Sequence, residues 1–315
     1  MRKIPDNVRK IVAETKSQLQ PLSTQGTYSL SAIQYFKYYG LDLAGENTEH
    51  LFGTFKSGGR ILAGHIFRPK EYKATVVILH GYMGHCGLLS KLIRNLTEAG
   101  FAVAAYDLPG HGLSSGQPTA IDDFSQYTDS LSDFLTIVRQ KLKGPYHIIG
   151  HSMGAAIVMN YLFSGRKDYF DKVILAAPLV RSAHWYFSKI GYKICRPFLE
   201  DVSRLFRNVS SDKDFLKFVR YQDPLQSKKV SVKWAGAMFK WNKKVADAQV
   251  SDRPVMVIQG TCENIVSWRY NLKFIRSKFR DVEIKLVENV RHELFNESAE
   301  LRGRVFSQIR DYLAE

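Results

Sequence analysis

Apolar runs and helical stretches take turns along most of this chain. Short runs rich in β-branched residues read as buried strands, and the longer stretches between them read as helices packed on a sheet. Leu51 to Phe55 and Arg60 to Phe67 predict a hairpin across Ser57, Gly58 and Gly59. Ala74 to Leu79 predicts a strand, with a helix near Leu88 to Ala99. Phe101 to Tyr106 predicts the next strand, with a helix near Ile121 to Leu142. Further strands are expected at Tyr146 to Ile149, Lys172 to Ala177, Val255 to Gln259 and Val282 to Val287. Helices are expected from Ala155 onward, near Trp268 to Lys278, and at about Ser298 to Leu313. Such alternation argues for an α/β fold with a mainly parallel sheet and helices on both faces.

Two segments stand outside the rhythm. Residues 1–48 precede the first convincing strand. Asp6 is expected to cap a helix through Leu19, and Tyr28 to Tyr39 reads as a second helix closed by Gly40. This extension is expected to pack on the core; an aromatic membrane-surface arm is the other reading. Residues 181–245 separate two strands and are helical in character, with many Trp, Tyr and Phe. An insertion there is expected to cap a site, leaving residues 49–180 and 246–315 as the core.

The candidate chemistry begins at Gly150-His151-Ser152-Met153-Gly154. A G-x-S-x-G alone is weak evidence. Here it joins a strand to a helix, the setting in which a serine hydroxyl is held exposed on a strained turn. The helix N-terminus beneath it favours developing negative charge. A serine needs a base, and the base needs an orienting carboxylate. His292 is the one histidine of nine in the loop after the last strand. Glu263 is the only carboxylate in the loop after the preceding strand, Gly260 to Val266. Glu288, Glu293 and Asp107 are nearby rivals, set aside by position. An oxyanion needs two backbone N–H donors. Met153, after the nucleophile, and Tyr82, in the loop His80 to His85, are the candidates. His80 and His85 are expected mainly to hold that loop. His80, Gly81, His85, Trp185 and Phe187 are the candidates to line a substrate site.

Charge and cysteines refine this picture. The 315 residues carry a formal net charge of +15, which points to anionic partners such as a membrane surface, or to solubility alone. No nucleic-acid reader motif is present. No residue set has metal-ligand spacing, and no phosphate loop is present, so no cofactor is expected. Three scattered cysteines suggest a reducing compartment. The start of the chain has no apolar signal segment and no run is long enough to span a membrane. A cytoplasmic protein, with peripheral contact to anionic membrane, is the expectation. Nothing bears on oligomeric state.

With these residues in hand, the sequence resembles the α/β-hydrolase superfamily, and within it the monoacylglycerol lipase and lysophospholipase group. The resemblance rests on His80-Gly81 with His85, Asp107 to Ser114, Gly150 to Gly154, Gln259-Gly260 with Glu263, Asp223-Pro224-Leu225, and His292. It covers roughly Leu51 onward. It implies the α/β-hydrolase fold, with a mainly parallel eight-stranded sheet flanked by helices and a helical cap. It also implies a serine hydrolase cleaving lipid carboxylic esters, a monoacylglycerol or a lysophospholipid, through a Ser-His-Glu triad. Asp107 is implied to be structural. The alternatives are a short-chain esterase, thioesterase or perhydrolase on the same triad, or a non-catalytic ligand-binding relative. The chain departs from the group in having Glu263 where aspartate is usual, Gly84 where glutamate is frequent, and the N-terminal extension.

Overall fold

The computed structural model describes residues 6–22, 27–43 and 47–315. Residues 1–5, most of the stretch read above for a signal segment, lie outside the described residues. Two helices come first, α1 (Asp6–Gln18) and α2 (Leu30–Tyr39). Asp6, expected as a cap, is the first residue of α1, where its charge suits the positive helix end. Local chemistry bounds α2: Ser29 Oγ accepts from the Ala32 N–H, and Gly40 closes the helix at φ 69°.

The hairpin β1 (Thr48–Ser57) and β2 (Arg60–Pro69) follows. Then come β3 (Ala74–Leu79), α3 (Ser90–Glu98), β4 (Phe101–Tyr106), α4 (Ser125–Lys141), β5 (Tyr146–His151), α5 (Met153–Leu162) and β6 (Phe170–Ala176). Helix α4 starts later than expected because Ile121 and Phe124 are buried anchors of the loop before it. The insertion holds α6 (Trp185–Cys195), β7 (Asp201–Ser203), α7 (Lys213–Tyr221), β8 (Lys229–Ser231) and α8 (Val232–Ala246). The chain ends with β9 (Val255–Gly260), α9 (Trp268–Lys278), β10 (Val282–Val287) and α10 (Ala299–Ala314).

Eight strands form one sheet in the order β1-β2-β4-β3-β5-β6-β9-β10. The strands from β4 to β10 run parallel; β1 and β2 are antiparallel to their neighbours. Alternate side chains enter opposite layers. Val77 and Leu79 of β3 join the layer of α4, α5 and α8, whereas Val76 and Ile78 join the layer of α2, α3 and α10. Every residue of β3, β4 and β9 is buried, as expected for strands covered on both faces. Because the parallel strands share one direction, the loops after β3, β4, β5, β9 and β10 gather at one edge, where such sheets build sites.

The N-terminal segment completes the other side of the structure. Leu22 N–H donates to Thr54 O at 2.8 Å, and Thr54 N–H donates to Gln20 O at 2.8 Å. Residues 20–22 thereby cover the open edge of β1, which would otherwise present unpaired backbone groups. Helix α2 buries Tyr35, Phe36 and Tyr39. It also reaches the insertion: Tyr39 OH donates to Asp223 Oδ1 at 2.7 Å and Tyr38 OH to Gln222 O at 2.8 Å. The extension is thus packed on the core, and an arm free to lie on a membrane does not fit these contacts.

Edge coverage depends on Gly53. A Cβ there would stand 2.5 Å from Gln20 O and 2.8 Å from the Leu22 backbone. Gly53→Val is expected to lower stability by at least about 2 kcal/mol, because backbone and not a flexible side chain must move. Urea unfolding measures the loss, and limited proteolysis should show faster cleavage around residues 18–30. Unchanged stability and cleavage would show that the segment does not dock this way.

Candidate active site

Ser152 stands between β5 and α5 at φ 53° and ψ −109°, a conformation that L residues rarely adopt. The surrounding backbone imposes it. Ser152 N–H donates to Ala176 O at 2.8 Å, and Ser152 O accepts from Leu179 N–H at 3.1 Å. Gly154 lets α5 approach the end of β3, since a Cβ there would be 2.3 Å from Leu79 O.

His292, in the loop after β10, meets the serine. Its Nε2 is 3.0 Å from Ser152 Oγ, and its Nδ1 is 2.7 Å from Glu263 Oε2. The loops bearing Glu263 and His292 are fastened together. Cys262 N–H donates to Val290 O at 2.9 Å, and the bare Cα of Gly260 allows Val290 O to come close. Glu263 Oε1 also accepts from the N–H groups of Ile265 and Val266. Burial works to raise the Glu263 pKa. The charge and hydrogen bond of His292, with the two N–H donors, outweigh burial and bring it down to about 2. Burial likewise disfavours the His292 imidazolium, yet the Glu263 carboxylate overcomes this and raises the pKa. The rival carboxylates are elsewhere. Asp107 accepts from the Cys86 and Leu113 N–H groups at 2.7 Å each, Glu293 accepts from Asn296 Nδ2, and Glu288 is exposed.

The loop after β3 runs against the nucleophile. A Cβ on Gly81 would be 3.2 Å from Ser152 Cβ. Tyr82 follows, its ring stacked on Trp234 of α8 at 3.7 Å, its hydroxyl donating to Thr119 O and accepting from Ser231 N–H. Trp234 Nε1–H in turn reaches Met153 Sδ at 3.2 Å. The two candidate oxyanion residues are therefore clamped by one tryptophan of the insertion. His80 Nδ1–H donates to Gly81 O and Nε2 accepts from Leu108 N–H. His85 Nδ1 accepts from Gly87 N–H while Nε2–H donates to Asp223 Oδ2 at 2.9 Å. Both rings are fully engaged, His80 with backbone alone and His85 with one backbone N–H and the Asp223 carboxylate, the arrangement of a scaffold for this loop. Trp185 is buried against Phe239. Phe187 is 76% exposed and lies outside the packed cluster around Met153 and Trp185.

Three residues without a separate sequence signal complete the site. His151 Nε2–H donates to His292 O at 2.9 Å and holds the histidine loop. Glu297, fully buried, accepts from the N–H groups of Arg291 and Ser211 at 2.7 Å, tying the insertion to that loop. Asp223, quoted above only as part of a motif, is the partner of His85 and Tyr39.

Known proteins share this arrangement in varying degree. The family model described as "Serine aminopeptidase, S33" matches residues 70–299. A monoglyceride lipase homolog of Monkeypox virus is 28% identical over 254 residues, 78% of this chain and 92% of the relative. Phospholipase YtpA of Bacillus subtilis is 26% identical over 76% of this chain and 94% of its own length. The crystal structure of a soluble variant of Saccharomyces cerevisiae monoglyceride lipase superposes with a TM-score of 0.73 at 21% identity, covering 86% of this chain and 96% of that one. With a strand-turn-helix serine at the carboxyl edge of a mainly parallel sheet and a family match across most of its length, the chain belongs to the Serine aminopeptidase, S33 family of α/β-hydrolases.

Proposed function

We propose that this protein cleaves carboxylic esters of lipids, monoacylglycerols or lysophospholipids, through an acyl-enzyme on Ser152. The observation that carries this reading is the continuous line of hydrogen bonds from Glu263 through His292 to Ser152 Oγ. His292 Nε2 takes the hydroxyl proton as Oγ attacks the ester carbonyl. The oxyanion is met by the N–H groups of Met153 and Tyr82. His292 then hands the proton to the leaving alcohol, and water attacks the acyl-serine by the same route. Glu263 fixes the imidazole tautomer and stabilises the imidazolium. The names of the relatives, lipases and a phospholipase, support a lipid substrate.

Residues 181–245 act as the cap in this reading. Ser152 and His292 are 5% and 6% exposed, so substrate entry requires the cap to move. The cap divides its aromatics. Trp185, Phe215, Trp234 and Trp241 face inward, whereas Tyr186, Phe187, Ile190, Ile194 and Phe198 are each more than half exposed. Residues 186, 190, 194 and 198 recur at one helical spacing and form a stripe along and beyond α6. Lys189, Lys193 and Arg196 lie among them, all exposed. The cap carries fifteen Lys and Arg against five Asp and Glu, ten of the chain's net +15. This pattern suits insertion into an anionic membrane surface. Among the described residues no helix is long and apolar enough to cross a membrane.

Three outcomes are expected. Fluorophosphonate labelling should be lost in Ser152→Ala, with ester turnover down by about 10⁴-fold or more in a folded protein. Full turnover by folded Ser152→Ala would sink the mechanism.

The base must be neutral to accept a proton, so kcat/KM should fall as pH drops through the raised His292 pKa, above its ordinary 6.5. Glu263→Gln removes the charge that raises it. The acid limb should therefore move to lower pH while kcat drops steeply, with Glu263→Asp retaining part of the activity. The Glu263 pKa is depressed, so its contribution to stability is present above the ordinary value of 4.5 and lost as pH falls toward about 2. The stability gap between wild type and Glu263→Gln should close over that window. An unmoved acid limb would reassign the orienting carboxylate.

Co-sedimentation with vesicles should rise with anionic lipid at about 1 kcal/mol per well-placed basic residue and weaken with salt. It should also fall when Phe187, Ile190 and Ile194 are changed to serine. Equal binding of that triple variant removes α6 as the docking element.

A further inference from the structure

A cleft lies beside the loops that flank Ser152 and His292. It is narrow and open to solvent at its mouth. Ser152 and His292 do not line it. Its wall includes Tyr82, Met83 and Gly84 of the loop after β3, and Glu293, which follows His292. Residues 204–209 form another side and are tied to the same loops. Glu293 N–H donates to Val209 O at 2.9 Å, and Arg207 Nη1 donates to Asn264 O at 3.1 Å. Gln226 accepts from Arg204 Nη1 at 2.5 Å and donates to Met83 O at 3.0 Å. The cleft therefore borders the loop after β3 and the loop that carries His292, and Arg207 ties its wall to the Glu263 loop.

Three guanidiniums converge on it. Arg204 and Arg220 share the ring of Phe206, 4.5 and 5.7 Å from its centroid, and Arg207 stands at the same wall. Their hydrogen bonds go to neutral groups. Among the described residues none of the three is ion-paired; the paired arginines are Arg68, Arg94, Arg166, Arg253 and Arg280. The carboxylate in the wall, Glu293, accepts from Asn296 at 3.2 Å. Burial pushes the Arg204 pKa below its ordinary value, and the charges of Glu293 and Asp223 only partly oppose it. Leu88, Phe215 and Val219 make the inner wall apolar, which strengthens any charge interaction formed against it.

We propose that this cleft holds the phosphate of a lysophospholipid whose acyl ester lies at Ser152. Guanidinium forks match phosphate oxygens, and an anion between Arg204 and Arg220 relieves the repulsion of two like charges on one ring. A glycerol backbone puts only a few bonds between ester and phosphate, so the phosphate site must adjoin Ser152, and Tyr82 and Glu293 in the cleft wall meet that condition. A neutral monoacylglycerol gives these arginines nothing to bind. The assignment rests on the ester-hydrolase reading and narrows it to an anionic substrate.

The test uses two short-chain, monomeric substrates with the same acyl group, a monoacylglycerol and the matching lysophosphatidic acid. Their kcat/KM values are compared in wild type, and their equilibrium binding to Ser152→Ala is measured by calorimetry. Wild type should prefer the phosphorylated substrate by about tenfold or more, and Arg220→Gln should cut that preference about tenfold. Arg220 contacts the rings of Phe206 and Tyr221, so its loss should leave the fold intact by circular dichroism. Arg204→Gln should act in the same direction. No preference in wild type, or a preference that survives both substitutions, overturns the proposal. Inorganic phosphate is titrated into Ser152→Ala in parallel. If it binds as tightly as the lipid, the cleft serves a free anion and the lipid assignment is overturned. Failure of the hydrolase reading looks different: wild type turns over neither substrate, while Ser152→Ala still binds the phosphorylated one more tightly, which upholds the cleft.

Discussion

The site depends on the absence of a side chain at Gly154. With hydrogen in place of Cβ, the first turn of α5 sits directly on the carbonyl of Leu79. That contact fixes the distance between the end of β3 and the turn after β5. The loop after β3 can then pass within van der Waals contact of Ser152, at Gly81. Gly150 plays the same part within the turn itself, since its Cβ would meet the Gly154 carbonyl at 2.6 Å. A larger residue at either place pushes the Ser152 turn away from the loop after β3. The strained backbone of Ser152 is held by what packs around it, as strained sites require.

Much of this was legible in the sequence, for identifiable reasons. Strands β3, β4 and β9 are buried on both faces, so their apolar runs are uninterrupted. The glycines around Ser152 mark close approaches, and His292 and Glu263 sit at the ends of recognisable strands. What escaped had no local pattern. Strands β7 and β8 are three residues each and pair only with one another, too short for alternation to register. The pairing of residues 20–22 with β1 is made by backbone groups, which any sequence supplies. Asp223 was visible as part of a motif, but its partners His85 and Tyr39 are 138 and 184 residues away. Glu297 resembled any surface carboxylate at the start of a helix. The split of the aromatics in residues 181–245 into inward and outward sets required a helix phase that composition does not contain.

The insertion is bound to the core by polar contacts as well as by packing. Asp223 joins it to α2 and to the loop after β3, Glu297 joins it to the histidine loop, and Gln226 joins it to Met83. These bonds converge on the loop after β3 and the loop that carries His292. Movement of the insertion and alignment of those loops are consequently coupled. A few hydrogen bonds, each worth about 1 kcal/mol net, hold the insertion and those loops together.

The bond between Tyr39 and Asp223 also has a bearing on how the chain is made. Its two ends are 184 residues apart. At elongation rates of about 5–20 residues per second, helix α2 leaves the ribosome roughly 10–40 seconds before the acceptor for its last tyrosine exists. Helix α1 and the strands β1 and β2 emerge early enough to pack α2 against the sheet in that interval. At its far end the hydroxyls of Tyr38 and Tyr39 meet their acceptors only once the insertion is synthesised. Assembly of the insertion is then the step that completes the hydrogen bonding of α2, so an element made early is among the last to be secured.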